Sequence, residues 1–282
     1  MKNYADLTVK MKKEFWKLNP LIGNIEIKVS DINKFFMVCK NDDTVVKELY
    51  WTNFNGWELT SIVLWKDLLK LVGGGNILDI GAYSGIYSLI AAQHCNKCTI
   101  FAFDIQSNCI SRLKENIDIN GFTNIFVNRF ACTDFNGKIP FYYYKEEDII
   151  SSVASIKENK MNDLEEIVEA IRLDDFSDRF EFTEDIKLIK IDVEGAEQST
   201  LLGLQKILKK SSPDVLIEVN KKNDLKEVKR LFPNDYNLYD INEDLLELKK
   251  VNWYTRISEY RNYLFTKKNK SQLKTIFIGK IK

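Results

Sequence analysis

The sequence predicts an α/β fold: a mostly parallel sheet with helices on both faces, an antiparallel edge and an N-terminal extension. Three observations carry this. Apolar strand-like runs alternate with helical periodicity between residues 77 and 219, the pattern of a parallel sheet covered on both sides. The first run reaches an acid, Asp79, and then a turn bearing Gly81 and Gly85. Two other runs also end in acids, Asp104 and Asp192. All three carboxylates thus fall at the crevice outside the carboxyl ends of the strands, where such sheets bind ligands.

In chain order, residues 1–56 read as the extension, with strand-like runs at 24–29 and 35–39, and residues 57–282 as the main domain. A helix over 59–71 sets Ile62, Leu64, Trp65, Leu68, Leu69 and Leu71 at helical spacing. Gly73, Gly74 and Gly75 break the chain before the sheet begins. Strand 77–80 leads to helix 85–93. Strand 99–103 leads to helix 107–119, with Ser107 as N-cap, Ile110, Leu113 and Ile117 on one face, and Gly121 as the stop. Strand 125–130, a polar turn at 133–137 and strand 138–144 follow. The polar stretch 145–160 reads as a mobile loop. Strand 186–191 runs into helix 197–209, and strand 215–219 follows Pro213. The runs 236–248 and 260–266 supply the antiparallel edge.

Composition narrows the function classes. The chain has 282 residues, 45% of them apolar, enough for a full core. Its 41 basic and 41 acidic residues cancel, so no global field recruits nucleic acid, and no nucleic-acid partner is expected. The basic C-terminal run from Lys267 to Lys282 reads as a solvated edge. No run approaches 18 apolar residues and no leader-like apolar segment opens the chain, so no membrane span is expected and the location reads as cytoplasmic. The five cysteines, Cys39, Cys95, Cys98, Cys109 and Cys132, are odd in number and irregularly spaced, which predicts reduced thiols. His94, Cys95 and Cys98 lack the second ligand pair that a zinc site needs. Oligomeric state is left open.

The glycine turn points to a ligand class. Dinucleotide sites want G-x-G-x-x-G, because a pyrophosphate must sit on backbone N–H groups. Here Tyr83 stands where the middle glycine would be, and the pattern is D-x-G-x-x-x-G. A cofactor without phosphates, carrying a sulfonium and an amino-acid tail, suits that loop better, and S-adenosylmethionine is such a molecule. Asp79 would offer an anion to its ammonium group, directly or through water, free loop amides would serve its carboxylate, and Asp104 would accept from both ribose hydroxyls. The second constellation lies at residues 186–197. Asp192 ends a buried strand, Glu194 sits two residues on, and Gly195 permits a tight turn. Lys190 is a cation on an apolar strand: it either pairs with a strand-end carboxylate or snorkels to water. Glu194 could equally cap the next helix. Glu218 interrupts a further apolar strand and is a weaker crevice candidate.

Four blocks together resemble the FkbM-type methyltransferases: Asp-Ile-Gly-Ala at 79–82 with Gly85, Phe-Asp at 103–104, Leu-Asp-Asp at 173–175, and Lys-Ile-Asp-Val-Glu-Gly-Ala-Glu at 190–197. The resemblance spans roughly residues 57–265. It implies a Rossmann-like class I methyltransferase fold and S-adenosylmethionine-dependent transfer, usually to a hydroxyl of a sugar or other natural product. It also implies that Asp79, Gly81, Ala82, Tyr83, Ser84 and Gly85 surround the methionine end, that Asp104 and Ile105 hold the ribose, and that Phe130 and Ala131 face the adenine. Trp57 and Glu58 resemble a block that closes over the cofactor. The chain departs from the family at the ribose acid, usually a Glu followed by Pro-Asn-Pro, where it has Asp104, Ile105, Gln106 and Ser107.

Methyl transfer to an alcohol needs in-line positioning and a base or a metal. The lone histidine, His94, falls at the far end of its helix. Asp192 is therefore the candidate base or acceptor-hydroxyl ligand, with Glu194 assisting. A divalent cation held by Asp192 and nearby acids is the second option, and no metal ligand set is assigned. The expected partner is a small-molecule or glycan acceptor. Phe141 to Tyr144, Trp253 and Tyr254 could stack on sugar rings, and Ser151 to Val153 could cap the site.

Overall fold

The computed structural model describes residues 4–29, 33–143, 155–156, 164–179, 185–219, 222–252 and 259–282. A 3-10 turn at Tyr4–Asp6 precedes α1 (Val9–Leu18), which Thr8 caps by accepting a hydrogen bond from the Met11 amide at 3.4 Å. β1 (Ile22–Ile27) and β2 (Phe35–Lys40) pair as an antiparallel hairpin. α2 (Thr44–Trp51) begins at Asp43, whose Oδ1 accepts from the Val46 amide at 3.0 Å. α3 (Leu59–Leu69) is buried almost all round, so it packs as an internal helix.

The alternating core follows: β3 (Gly75–Ile80), α4 (Ile86–His94), β4 (Cys98–Phe103), α5 (Ser107–Asn120) and β5 (Ile125–Asn128). A small separate sheet holds β6 (Ala131–Cys132), β7 (Gly137–Tyr143) and β8 (Leu164–Ile171). The chain returns through α6 (Leu173–Arg179), β9 (Ile186–Ile191), α7 (Glu197–Leu202), α8 (Gln205–Lys210), β10 (Asp214–Glu218) and α9 (Lys222–Arg230). It ends with β11 (Asn237–Asn242), β12 (Glu247–Lys250), β13 (Asn262–Thr266), α10 (Lys270–Lys274) and β14 (Lys280–Ile281).

The main sheet runs β14-β12-β11-β13-β10-β9-β3-β4-β5. Its β10-β9-β3-β4-β5 portion is parallel, and β13 lies antiparallel to both β10 and β11. The expected mixed α/β sheet with an antiparallel edge is what the chain forms. β3 is buried at all six positions. Its side chains alternate between two cores: Ile77 joins Trp65 and Leu89 on one face, and Leu78 and Ile80 join Phe176 and Leu201 on the other. From β3 the chain moves outward to β4 and β5, then returns to β9 on the opposite side. The switch point therefore lies at the carboxyl end of β3.

Several elements differ from expectation. Residues 197–209 form two helices. At the break Gly203 abuts the Thr133 carbonyl, where a Cβ would lie 1.9 Å from the oxygen. Asp174 then starts α8 by accepting from the amides of Lys206 and Ile207, both at 3.0 Å. Ser107 is not an N-cap but the first helical residue, following Gln106. Gly121 does stop that helix, at φ 66°. The thiol expectation is corrected: Cys95 and Cys98 form a disulfide, because the turn after α4 brings their Cα atoms to 5.3 Å. Cys39, Cys109 and Cys132 are free and buried. His94 turns Nδ1 to the Ile90 carbonyl, at 3.0 Å. Most of the 145–160 loop, Tyr144, the 151–153 cap, Trp253 and Tyr254 lie outside the described residues. Among the described residues, no helix is long and apolar enough to cross a membrane.

The turn after β3 is the tightest backbone approach. Gly81 has φ +81°, and a Cβ there would fall 1.7 Å from the Asp192 carbonyl oxygen. Gly81→Ala should destabilise the protein by at least about 2 kcal/mol. Gly73→Ala, at a position with nothing within 4 Å, should leave the melting temperature nearly unchanged. Thermal unfolding of both variants checks this.

Candidate functional site

A cavity of about 320 Å³ opens at the switch point. Sheet order lays out its walls. Beyond β4 and β5 lie Ile105, Phe130, Ala131, Cys132 and Ile156, which are mostly apolar. In the middle stand Gly81, Ala82, Tyr83, Asp104 and Gln106, with Thr44 and Val45 facing in from the start of α2. Beyond β9 and β10 lie Trp57, Glu58, Tyr87, Lys190, Asp192, Val193, Glu194 and Glu218.

Asp104 is anchored through both carboxylate oxygens. Its Oδ2 accepts from the Tyr83 amide and its Oδ1 from the Gln106 amide, both at 2.9 Å. Burial raises its pKa against the pull of those amides. Each oxygen keeps a lone pair, so the carboxylate can accept two further hydrogen bonds from a vicinal diol.

Asp79 does not line the cavity. Its carboxylate turns toward α4, where Oδ2 accepts from the Ser88 amide at 2.9 Å and the Ser88 hydroxyl at 2.6 Å. It thus caps the first turn of α4. Burial pushes its pKa up to about 6, with Ser88 and then Lys190 opposing. Four loop amides are engaged as well. Those of Gly81 and Ala82 both donate to the Phe103 carbonyl, that of Tyr83 to Asp104, and that of Gly85 to Ala82. Asp79 and these loop amides are thus already engaged within the fold. Ser84 and Gly85 also lie behind the wall: the Ser84 carbonyl accepts from Asn116 at 2.8 Å, and Gly85 packs against Leu113.

The far end is crowded with charge. Lys190 is 1% exposed and Asp192 24%, with Nζ 3.2 Å from Oδ2. The lysine therefore pairs rather than snorkels, and its carboxylate partner still reaches the cavity. Lys190 also lies 5.0 Å from the centroid of the Tyr87 ring. Burial alone would lower its pKa, but Asp192, Glu58 and Glu218 outweigh that and hold it charged above the usual range. Tyr87 donates its hydroxyl to Glu58 at 2.6 Å, and Asn262 donates to the other Glu58 oxygen at 3.0 Å. Burial, then the charge of Asp192, pushes Glu218 up to about 9. Arg261 approaches Glu218 at 3.9 Å. Glu58, Asp192 and Glu218 can bring one oxygen each within 4.8 Å of one another. Such a set suits a hard cation, but Lys190 already supplies a positive charge there. Glu194 lines the wall at φ 48°, and its carbonyl accepts from Ser155 at 2.8 Å.

Sequence reasoning had thus brought Glu58, Gly81, Ala82, Tyr83, Asp104, Ile105, Phe130, Ala131, Asp192 and Glu194 to one cavity. It missed Tyr87, Gln106, Thr44 and Val45. The first two adjoin the recognised motifs, so their neighbourhood was a usable signal. Thr44 and Val45 had none beyond the helix-start acid Asp43.

The geometry can be compared with known proteins. A family model described as Methyltransferase FkbM domain matches residues 79–250, more than half of the chain. The Ribosomal protein L11 methyltransferase of Bacteroides fragilis is 32% identical over 113 residues, covering 39% of this chain and 37% of that protein. Methyltransferase 1 of Beauveria bassiana is 24% identical over 143 residues, covering 45% and 57% respectively. The chain therefore spans between about a third and three-fifths of the length of these curated relatives. Among solved structures, Methyltransferase FkbM from Methylobacillus flagellatus aligns with a TM-score of 0.45 and 14% identity, covering 68% of this chain and 43% of that one.

The raised carboxyls give a pH signature. Burial pushes Asp79, Glu243 (which accepts from the Ser61 amide and from Asn262, both at 3.1 Å) and Glu218 up to about 6, 7 and 9 in the folded chain, against about 4 when unfolded. The folded state therefore holds extra protons. That contribution is complete below about pH 4 and is lost as pH rises through 6, 7 and 9 in turn. The melting temperature of the protein without ligand should fall between pH 5 and 9, and Glu218→Gln should flatten the upper part of that slope.

Proposed function

The chain belongs to the FkbM methyltransferase family, and we propose that it transfers a methyl group from S-adenosylmethionine to a hydroxyl of a sugar or another natural product. The observation that carries this reading is Asp104, fixed by two backbone amides between an apolar pocket and a carboxylate-rich one. A diol-accepting acid flanked in that way fits an adenosyl group carrying a cationic tail.

When bound, S-adenosylmethionine supplies an electrophilic methyl group on a sulfonium. The chain's own residues do the rest. Asp104 accepts the ribose hydroxyls, with Gln106 and Tyr83 fixing its rotamer. Ile105, Phe130 and Ala131 enclose the adenine in apolar surface. Glu58 and Asp192 place negative charge where the cofactor's cationic groups fall, and Glu218 adds to it once its proton leaves. Lys190 pins Oδ2 of Asp192 and leaves Oδ1 to take the proton of an acceptor hydroxyl. Glu194 lines the same end and assists in orienting the acceptor. General-base help of this kind contributes about 10²–10⁴ in rate. No step needs a metal.

A second reading has a specific observation in its favour. Three carboxylates within 4.8 Å of one another suit an amine acceptor as well as a hydroxyl, and the Bacteroides fragilis relative is a ribosomal-protein methyltransferase. A screen of glycans, small alcohols, proteins and RNA for methyl uptake separates the acceptor classes.

Calorimetry should detect S-adenosylhomocysteine binding and no NAD binding. Asp104→Ala removes two charge-assisted hydrogen bonds and should weaken the former by at least about tenfold. Asp192→Asn should cut turnover by about 10² or more while the affinity for S-adenosylhomocysteine stays within about twofold of wild type. Turnover that survives Asp192→Asn removes that residue from the chemistry.

A further inference from the structure

We propose that the N-terminal unit builds one wall of the cofactor cavity, with Thr44 and Val45 touching the bound cofactor and Arg112 and Asn116 holding them in place. The proposal rests on the cavity being an S-adenosylmethionine site. It extends that site to residues ahead of the family-matched span 79–250, a region whose role in the sequence was packing or acceptor selection.

Thr44 and Val45 are the first residues of α2, and both line the cavity. Their position is set from two sides. On their own element, the fully buried Asp43 accepts from the Val46 amide and fixes the helix start. Across the gap, Tyr83 joins them to the ribose acid: its amide donates to Asp104 at 2.9 Å, and its hydroxyl accepts from the Thr44 amide at 3.4 Å. Thr44 therefore lies one tyrosine side chain away from Asp104.

Helix α5 is the spine of this arrangement. Arg112, Asn116 and Asn120 recur every four residues, so they form one polar stripe, and all three reach β2 or the loop after it. Arg112 is 5% exposed and forks onto both carboxylate oxygens of Asp42, at 2.9 and 2.6 Å, while also donating to the Val38 carbonyl at 3.0 Å. Asn116 is fully buried and bridges two segments. Its Oδ1 accepts from the Val38 amide at 2.7 Å, and its Nδ2 donates to the Ser84 carbonyl at 2.8 Å. One asparagine thus ties the glycine turn to the N-terminal hairpin. Asn120 exchanges hydrogen bonds with both backbone groups of Phe36, at 2.8 and 2.7 Å.

A unit that only packed would need apolar contact, not a planar fork on the residue next to the α2 cap. A bidentate guanidinium–carboxylate pair fixes direction as well as distance. Here it fixes the point at which the chain turns from β2 into the cavity wall. The same helix begins just after Asp104, so movement of the N-terminal unit and movement of the ribose acid are mechanically linked.

The test is amide hydrogen exchange on the wild-type chain, with and without saturating S-adenosylhomocysteine. Slowed exchange at residues 44–48 together with residues 80–88 is expected. Slowing at 80–88 with none at 44–48 overturns the proposal. No slowing anywhere refutes the cofactor reading itself, and this inference with it. Arg112→Met keeps the aliphatic stem and removes the fork. It should raise the dissociation constant for S-adenosylhomocysteine by roughly three- to tenfold while circular dichroism stays native. Arg112→Lys should not restore affinity, because a point charge cannot replace the fork. A folded Arg112→Met protein with wild-type affinity removes Arg112 as a positioning residue. If that variant fails to fold, the exchange pattern of the wild type decides.

Discussion

The Tyr83 amide donating to Asp104 is the bond on which the rest of the site depends. It ties the turn after β3 to the end of β4, and so fixes two adjacent strand tips relative to one another. From it follow the rotamer of Asp104 and the placing of Tyr83. Gly81 makes the geometry feasible by letting the chain pass against the Asp192 carbonyl. The turn, the ribose acid and the strand end carrying Asp192 therefore form one rigid assembly. Preorganisation of that kind is what a positioning enzyme needs.

The opposite end of the cavity works by charge. Lys190 is almost fully buried, yet it stays cationic because the charges of Asp192 and then Glu58 face it. Glu218 holds its proton well above the ordinary carboxyl range. A ligand bringing positive charge to this end would favour loss of that proton. Charge on the ligand and protonation of the wall are thereby coupled through distances already present in the fold.

Much of this was readable in the sequence because the parallel strands are buried on both faces. Such strands appear as unbroken apolar runs, and any acid that ends one is conspicuous, as with Asp104 and Asp192. Asp79 was conspicuous too, but its engagement by Ser88, nine residues on, was not. That carboxylate accepts from the Ser88 amide and hydroxyl at the start of α4. Helices whose apolar residues are few escaped notice: α9 buries Leu225 and Val228 among charged neighbours. The break at Gly203 depends on the distant Thr133 carbonyl, and the placement of Thr44 on the Arg112–Asp42 pair. These are contacts between remote segments, which local periodicity does not record.

The most direct measurement is a crystal structure of the protein with S-adenosylhomocysteine. The account predicts both ribose hydroxyls within hydrogen-bonding distance of the Asp104 carboxylate, the adenine against Ile105, Phe130 and Ala131, and the sulfur directed toward Asp192. A ligand seated elsewhere, or one whose ribose turns away from Asp104, would contradict it.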